Sequence, residues 1–121
     1  MPKADEIRLY HMLDAAEEAM SFVRDKDRKS LDQDRMIVLA IIKDIEIVGE
    51  AASRISDETK QAAPDIPWAS ITGMRNRLIH AYFDINLDIL WQTVSKDLPE
   101  LAAKLKEAIA AAKKQNKNQP I

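Results

Sequence analysis

Two guanidinium groups, an amide, an imidazole and a phenol occur within eight residues near the middle of the chain. They belong to Arg75, Asn76, Arg77, His80 and Tyr82, in the segment RNRLIHAY. An imidazole can take the proton of a ribose 2′-hydroxyl or give one to a leaving oxygen, and a guanidinium pairs with phosphate oxygens through two hydrogen bonds. RNA carries that internal nucleophile and DNA does not. These residue types suit cleavage of an RNA phosphodiester without a metal ion.

The positive charge that would attract such a substrate lies in one segment of the chain and not in the protein as a whole. The 121 residues contain 18 Lys and Arg against 20 Asp and Glu, which gives a net charge of −2. Residues 67–83, in contrast, contain two arginines and a histidine and no carboxylate. We therefore expect an anionic substrate to be attracted by this segment and not by the field of the whole molecule.

Helices must position these groups, because the sequence offers few places for tight turns. It contains two glycines, and no proline lies between Pro2 and Pro64. Apolar residues recur every three or four positions, which predicts helices over residues 4–24, 30–56 and 67–81. Ser30, with Gln33 three residues later, matches a capping box at the start of the second helix.

Helical spacing of apolar residues continues beyond residue 87 and passes through Pro99. Two interpretations stay open: a capping box at Asp97 and Glu100 that separates a fourth helix from a fifth, or one kinked helix. Both predict an all-α, up-and-down bundle of four to five helices. We expect one domain over residues 1–112 and a flexible basic C-terminal tail over residues 113–121.

The second predicted helix needs two packing partners. Residues 36–42 are apolar on every side of the helix, yet this run of seven is far shorter than the roughly 20 residues that span a membrane. A chain of this length has few fully interior helices, so we expect a homodimer. The chain has no cysteine, and with no apparent targeting or membrane segment we expect a soluble, cytoplasmic protein.

The motif does not form a simple same-face pair on a straight helix. Five residues at about 100° each place Arg75 and His80 about 140° apart. Three arrangements stay open: a helix that ends or bends near His80, a long Arg75 side chain that wraps round the helix, or a site shared by two chains. Asn76 lies four residues before His80 and could orient the imidazole. Arg77 is either a second phosphate contact or a solvated side chain.

Two further sets of residues have side chains that could form a site. His80, Asp84 and Asp88 are spaced by four residues, but the segment between them indicates that the helix breaks, so we expect no metal site. We expect Asp84 instead to accept a hydrogen bond from His80. His11, in the first helix, is expected to be a structural or surface histidine.

The segment GMRNRLIHAYFD, which begins at Gly73, resembles the signature of the HEPN superfamily, and specifically of the HepT toxins of HEPN/MNT toxin–antitoxin pairs. That signature is an arginine, a polar residue, a few further positions, and then His-X-Tyr. Arg75, Asn76, His80 and Tyr82 match it. The resemblance extends to DIPW at residues 65–68 and to DLPEL at residues 97–101, and therefore covers most of the chain.

The resemblance implies a metal-independent endoribonuclease toxin of a type VII pair, without a cofactor. Its composite site would lie between two protomers, with Arg75 and His80 as catalytic residues. It also implies a nucleotidyltransferase antitoxin that can transfer AMP to Tyr82. An added phosphate charge so close to the histidine would repel RNA.

Two other functions stay open. One is a non-catalytic module that binds a nucleotide or the nucleotidyltransferase, in which the motif only holds phosphate. The other is a bundle that serves assembly alone, in which the motif is an interface network.

Overall fold

Helices form most of the described chain, as the apolar spacing predicts. The computed structural model describes residues 1–81 and 84–117, with the side chains of residues 79–81 and 116–117 left out. Its helices are α1 (Lys3–Phe22), α2 (Lys29–Gln33), α3 (Arg35–Ser53), α4 (Asp57–Ala62), α5 (Trp68–Leu78), α6 (Leu87–Gln92) and α7 (Leu98–Lys117), with a π-helical turn at Thr93–Asp97. The predicted all-α bundle is confirmed. None of the described helices is long and apolar enough to cross a bilayer.

The core lies where α1 packs against α3 and α7, and where α3 packs against α5. The largest fully buried side chains include Leu9, Met12, Ile41, Ile45, Ile71 and Leu105. The spacing of Ile7, Tyr10 and Leu13 predicts that these residues lie on the apolar face of α1. That prediction is wrong at its first position, because Ile7 is 46% exposed whereas Leu9 and Met12 are fully buried. Several alanines lie on the buried side of α1, so the pattern of large apolar residues alone misplaced that face.

The start of α3 differs from the predicted capping box. Ser30 lies inside the short helix α2, and the chain becomes extended at Asp34. The Asp34 carboxylate accepts a hydrogen bond from the backbone N–H of Ile37 at 3.3 Å. Aspartate is among the strongest N-cap residues, and here it starts a new helix after a break that the Ser30 prediction did not include.

A two-stranded antiparallel pair follows α5, and the sequence did not predict it. Strand β1 (Ile79–Ala81) pairs with β2 (Asp84–Ile85), with Ile79 opposite Ile85. The backbone N–H of Asn86 donates to the carbonyl oxygen of Leu78 at 2.9 Å, at the point where α5 ends. The helix predicted to continue to residue 81 therefore stops at residue 78.

The helix after β2 continues through Pro99 without a cap. The capping box predicted at Asp97 and Glu100 is wrong, because Asp97 belongs to the π-helical turn and Leu98 keeps helical dihedral angles. Proline cannot donate the bond that would run from residue 99 to residue 95, and the π-helical turn contains that acceptor. The alternative of one distorted helix is the correct one.

Helix α7 extends to Lys117, so the first five residues of the predicted tail, 113–117, are helical. The Lys113 ammonium lies 5.3 Å from the centroid of the Tyr10 ring on α1. Residues 118–121 lie outside the described residues. The division of the chain at residue 112 stays a prediction.

Candidate active site

Helix α5 carries the arginines of the motif on its exposed sides. Ile71, Met74 and Leu78 are buried, which anchors the helix on the core. Arg75 and Asn76 are consecutive and exposed, on the part of α5 that these anchors leave to solvent. The spacing of the apolar anchors thus determines which polar side chains of α5 reach a substrate.

Arg75 and Asn76 line an open groove of about 860 Å³ bordered by α1, α3 and α5. The other charged or imidazole side chains along this groove are Arg8, His11, Lys43, Glu46, Glu50 and Arg54. Together with Arg75, the described groove residues include four Arg or Lys side chains and two carboxylates. A protein of net charge −2 therefore has a groove of local positive charge, as the substrate class in question requires.

The guanidinium of Arg75 is held by a residue that sequence reasoning missed. Its Nε donates a hydrogen bond to Glu46 Oε1 on α3 at 3.0 Å. The two side chains are 51% and 37% exposed, so the pair lies at the surface of the groove. The residues are 29 positions apart, and no local motif signals such a contact.

Arg77 lies on a different side of α5. Its Nη2 donates to the carbonyl oxygen of Ser70 at 3.2 Å. It lines a second cavity of about 410 Å³, where Asp97 and Lys104 are among the other lining residues. Two residues along a helix correspond to a rotation of about 200°, which explains why Arg77 does not share the groove of Arg75.

The end of α5 at Leu78 resolves part of the geometric problem of the motif. Because His80 lies in β1, the 140° separation expected on a straight helix does not apply to Arg75 and His80. The first of the three open arrangements, a helix that ends near His80, is the one observed. The side chain of His80 and the whole of Tyr82 lie outside the described residues, so the predicted pairing of His80 with Asn76 or Asp84 stays a prediction.

The acidic residues after the motif do not line up with His80 along a helix. Asp84 is exposed on β2, opposite Ala81. Asp88 lies on α6, where its Oδ1 is 2.8 Å from Arg28 Nε. The predicted helix break before these residues is confirmed. Within residues 1–81 and 84–117, no group of three metal-ligating side chains is close enough to hold a metal ion.

His11 is exposed, as expected, but its position matters more than the sequence indicated. It projects from α1 into the same groove as Arg75 and Asn76. An imidazole at this position adds a hydrogen-bonding group to the surface available to an anionic ligand.

Comparison with known proteins assigns the family. The profile of the family Ribonuclease HepT-like matches residues 12–108. A protein of Thermococcus cleftensis named "Probable ribonuclease HepT" is 34% identical over 107 residues, which cover 88% of this chain and 97% of the relative. A protein of Methanocaldococcus jannaschii, provisionally named as an RNase, is 37% identical over 93 residues, 77% of this chain and 85% of the relative. No solved structure shows significant similarity to the chain. The chain belongs to the HepT-like ribonuclease family of the HEPN superfamily.

Proposed function

We propose that this chain is a metal-independent endoribonuclease, the toxin of a type VII HEPN/MNT toxin–antitoxin pair, with Arg75 and His80 as its catalytic residues. The observation that carries the proposal is the position of Arg75 and Asn76 on a cationic groove in a member of a ribonuclease family. Relatives of similar length carry provisional ribonuclease names, which supports the reaction class.

The chemistry follows from the residue types. The His80 imidazole accepts the proton of the ribose 2′-hydroxyl, and the 2′-oxygen attacks the adjacent phosphorus. The bond from phosphorus to the 5′-oxygen breaks, and that oxygen leaves with a proton supplied by an imidazolium. The Arg75 guanidinium stabilises the charge that builds on the phosphate oxygens. Asn76 and Asp84 support the imidazole, and Arg77 is a separate, peripheral cation.

We further propose that two protomers complete the site. Met36 is 81% exposed and Leu39 is 49% exposed, both on the part of α3 whose apolar run predicted a second partner. Large apolar side chains exposed close together on one surface are typical of a protein interface. A second copy of the chain on this face would explain the apolar run and would bring two motifs into one assembly.

Neutralisation is proposed to involve a nucleotidyltransferase antitoxin that transfers AMP to Tyr82. A phosphodiester two residues from His80 adds a negative charge where the RNA phosphate must bind. Intact-mass spectrometry of the protein produced with and without that enzyme tests this step. A mass increase of AMP units that maps to Tyr82, with RNA cleavage only by the unmodified protein, is the expected result.

The nuclease activity itself is tested by RNA cleavage in the presence of a chelator. Wild-type protein is expected to cleave, and His80→Ala and Arg75→Ala are each expected to lower kcat about 100-fold or more. Arg24→Ala removes the same charge from an exposed position outside the groove and serves as the control.

The same assay separates the alternative function, a non-catalytic module that binds a nucleotide or a partner through the motif. If purified wild-type dimer never cleaves RNA, while His80→Ala weakens nucleotide or partner binding, the binding module takes the place of the nuclease. If Arg75→Ala and His80→Ala instead dissociate the dimer, the motif is an assembly interface.

A further inference from the structure

One ion pair ties the proposed phosphate-binding arginine to a neighbouring helix. Glu46 Oε1 on α3 accepts a hydrogen bond from Arg75 Nε on α5 at 3.0 Å. Both side chains line the groove that the proposed function assigns to RNA. The inference drawn from this contact rests on that proposed function.

The atom that Glu46 contacts leaves the rest of the guanidinium available. A guanidinium has five N–H donors, and the bond to Glu46 uses the one on Nε. The two terminal amino groups can then form the paired hydrogen bonds with phosphate oxygens that arginine makes best. A carboxylate at Nε orients the group without occupying the end that would meet the substrate.

Stability of the fold does not account for this pair. Half-exposed surface ion pairs contribute little to folding because water screens them and because ordering two long side chains costs entropy. The contact between α3 and α5 is already made by buried apolar residues, including Ile45 and Ile71. An ion pair that holds the Arg75 side chain in one rotamer before the substrate binds aids catalysis. The entropy cost of ordering that side chain then does not add to the free-energy barrier of the reaction.

We propose that Glu46 is a positioning residue of the nuclease: it fixes the Arg75 guanidinium so that its terminal amino groups face the scissile phosphate. Glu46 does not contact the RNA in this arrangement. The negative charge of Glu46 repels the RNA phosphate, whereas its hydrogen bond orients the Arg75 guanidinium. Glutamine keeps the acceptor oxygen and removes the charge, so the two effects are separable.

Kinetics in three variants test the role. Glu46→Ala is expected to lower kcat about 5- to 50-fold with KM changed less than about threefold, and Glu46→Gln is expected to restore most of kcat. Glu17→Ala is the matched control, because Glu17 on α1 forms a surface ion pair with Lys106 on α7, 3.5 Å apart, and does not line the groove. A loss with Glu17→Ala equal to that with Glu46→Ala would overturn the proposal.

A double-mutant cycle asks whether Glu46 acts through Arg75. The kcat of RNA cleavage is measured for Glu46→Ala in the wild-type chain and in Arg75→Ala. Glu46→Ala is expected to lower kcat about 5- to 50-fold in the wild-type chain and to change it less than twofold in Arg75→Ala. An equal loss in both backgrounds would show that Glu46 acts on something other than Arg75, and would overturn the proposal.

A direct readout works whether or not the protein cleaves RNA. The Nε–H resonance of Arg75, identified by its loss in Arg75→Lys, is followed by NMR. Glu46→Ala is expected to shift it and to speed its exchange with water at least threefold, while Glu17→Ala leaves it unchanged. An unchanged resonance in Glu46→Ala would overturn the positioning role. If instead wild-type protein shows no cleavage but the resonance responds as expected, the nuclease proposal fails and the Glu46–Arg75 coupling stands.

Discussion

Substituting Asp44 by asparagine is expected to stabilise the protein at pH 8 and to have little effect at pH 4. Asp44 lies on α3, is 2% exposed, and has one carboxyl oxygen, Oδ2, without a hydrogen-bond partner. Burial, as the largest cause, together with the hydrogen bond and the negative charge of Glu18 on α1, raises the pKa of Asp44 from 3.8 to about 7. The buried carboxyl group is therefore favoured in its protonated form.

The sign and size of the effect follow from the difference between the folded and unfolded pKa values. Between about pH 4 and pH 7 the folded protein holds a proton that the unfolded chain has lost, so the free energy of unfolding falls as pH rises. A shift from 3.8 to about 7 sets an upper limit of about 4 kcal/mol at 1.36 kcal/mol per unit. Glu18 is exposed and can turn towards water, so we expect about 1–3 kcal/mol.

Urea denaturation followed by circular dichroism, at pH 4 and at pH 8 and at one protein concentration, measures this difference. Asp44→Asn is expected to raise the free energy of unfolding by about 1–3 kcal/mol at pH 8 and by less than about 0.5 kcal/mol at pH 4. Asp65→Asn removes the same charge from an exposed position and is the control. If Asp44→Asn lowers stability equally at both pH values, the ionised Asp44 carboxylate does not destabilise the folded protein, which would refute the predicted effect.

Three further predictions concern the fold and its assembly. Asp34→Ala removes the cap on the Ile37 N–H and should lower the free energy of unfolding by about 1 kcal/mol in urea denaturation, whereas no change would mean that the break before α3 needs no cap. Leu105→Ala opens a cavity at a fully buried position and should cost about 2–5 kcal/mol in the same assay; a cost below 1 kcal/mol would contradict the packing of α7. The double substitution Met36→Lys and Leu39→Lys should convert a dimer to a folded monomer, as light scattering after size-exclusion chromatography would show, and a dimer that persists would place the interface elsewhere.

Helix positions were predictable where a long periodic pattern dominates, and helix ends were not. The spacing of apolar residues located both ends of α1 and the end of α3 to within a few residues of their observed positions. The same spacing placed the start of the second helix wrongly, because the chain breaks at Asp34 and separates α2 from α3. Both Ser30 and Asp34 are residue types that cap helices, and the path of the chain decides which of them does so. Pro99 predicts a distortion of its helix, but only the surrounding packing decides whether the helix breaks or forms a π-helical turn.

The sequence by itself determined the all-helical class, the polar motif from Arg75 to Tyr82 and, through that motif, the resemblance to the family that the comparisons confirm. Such features depend on residue types and short spacings, which need no knowledge of how the elements meet. Tertiary structure alone decided that α5 ends at Leu78 and that Arg77 leaves the groove of Arg75. It also brought Glu46 to Arg75 across 29 residues. The reason is that the faces on which helices pack are set by the whole core, and those faces determine which distant side chains become neighbours.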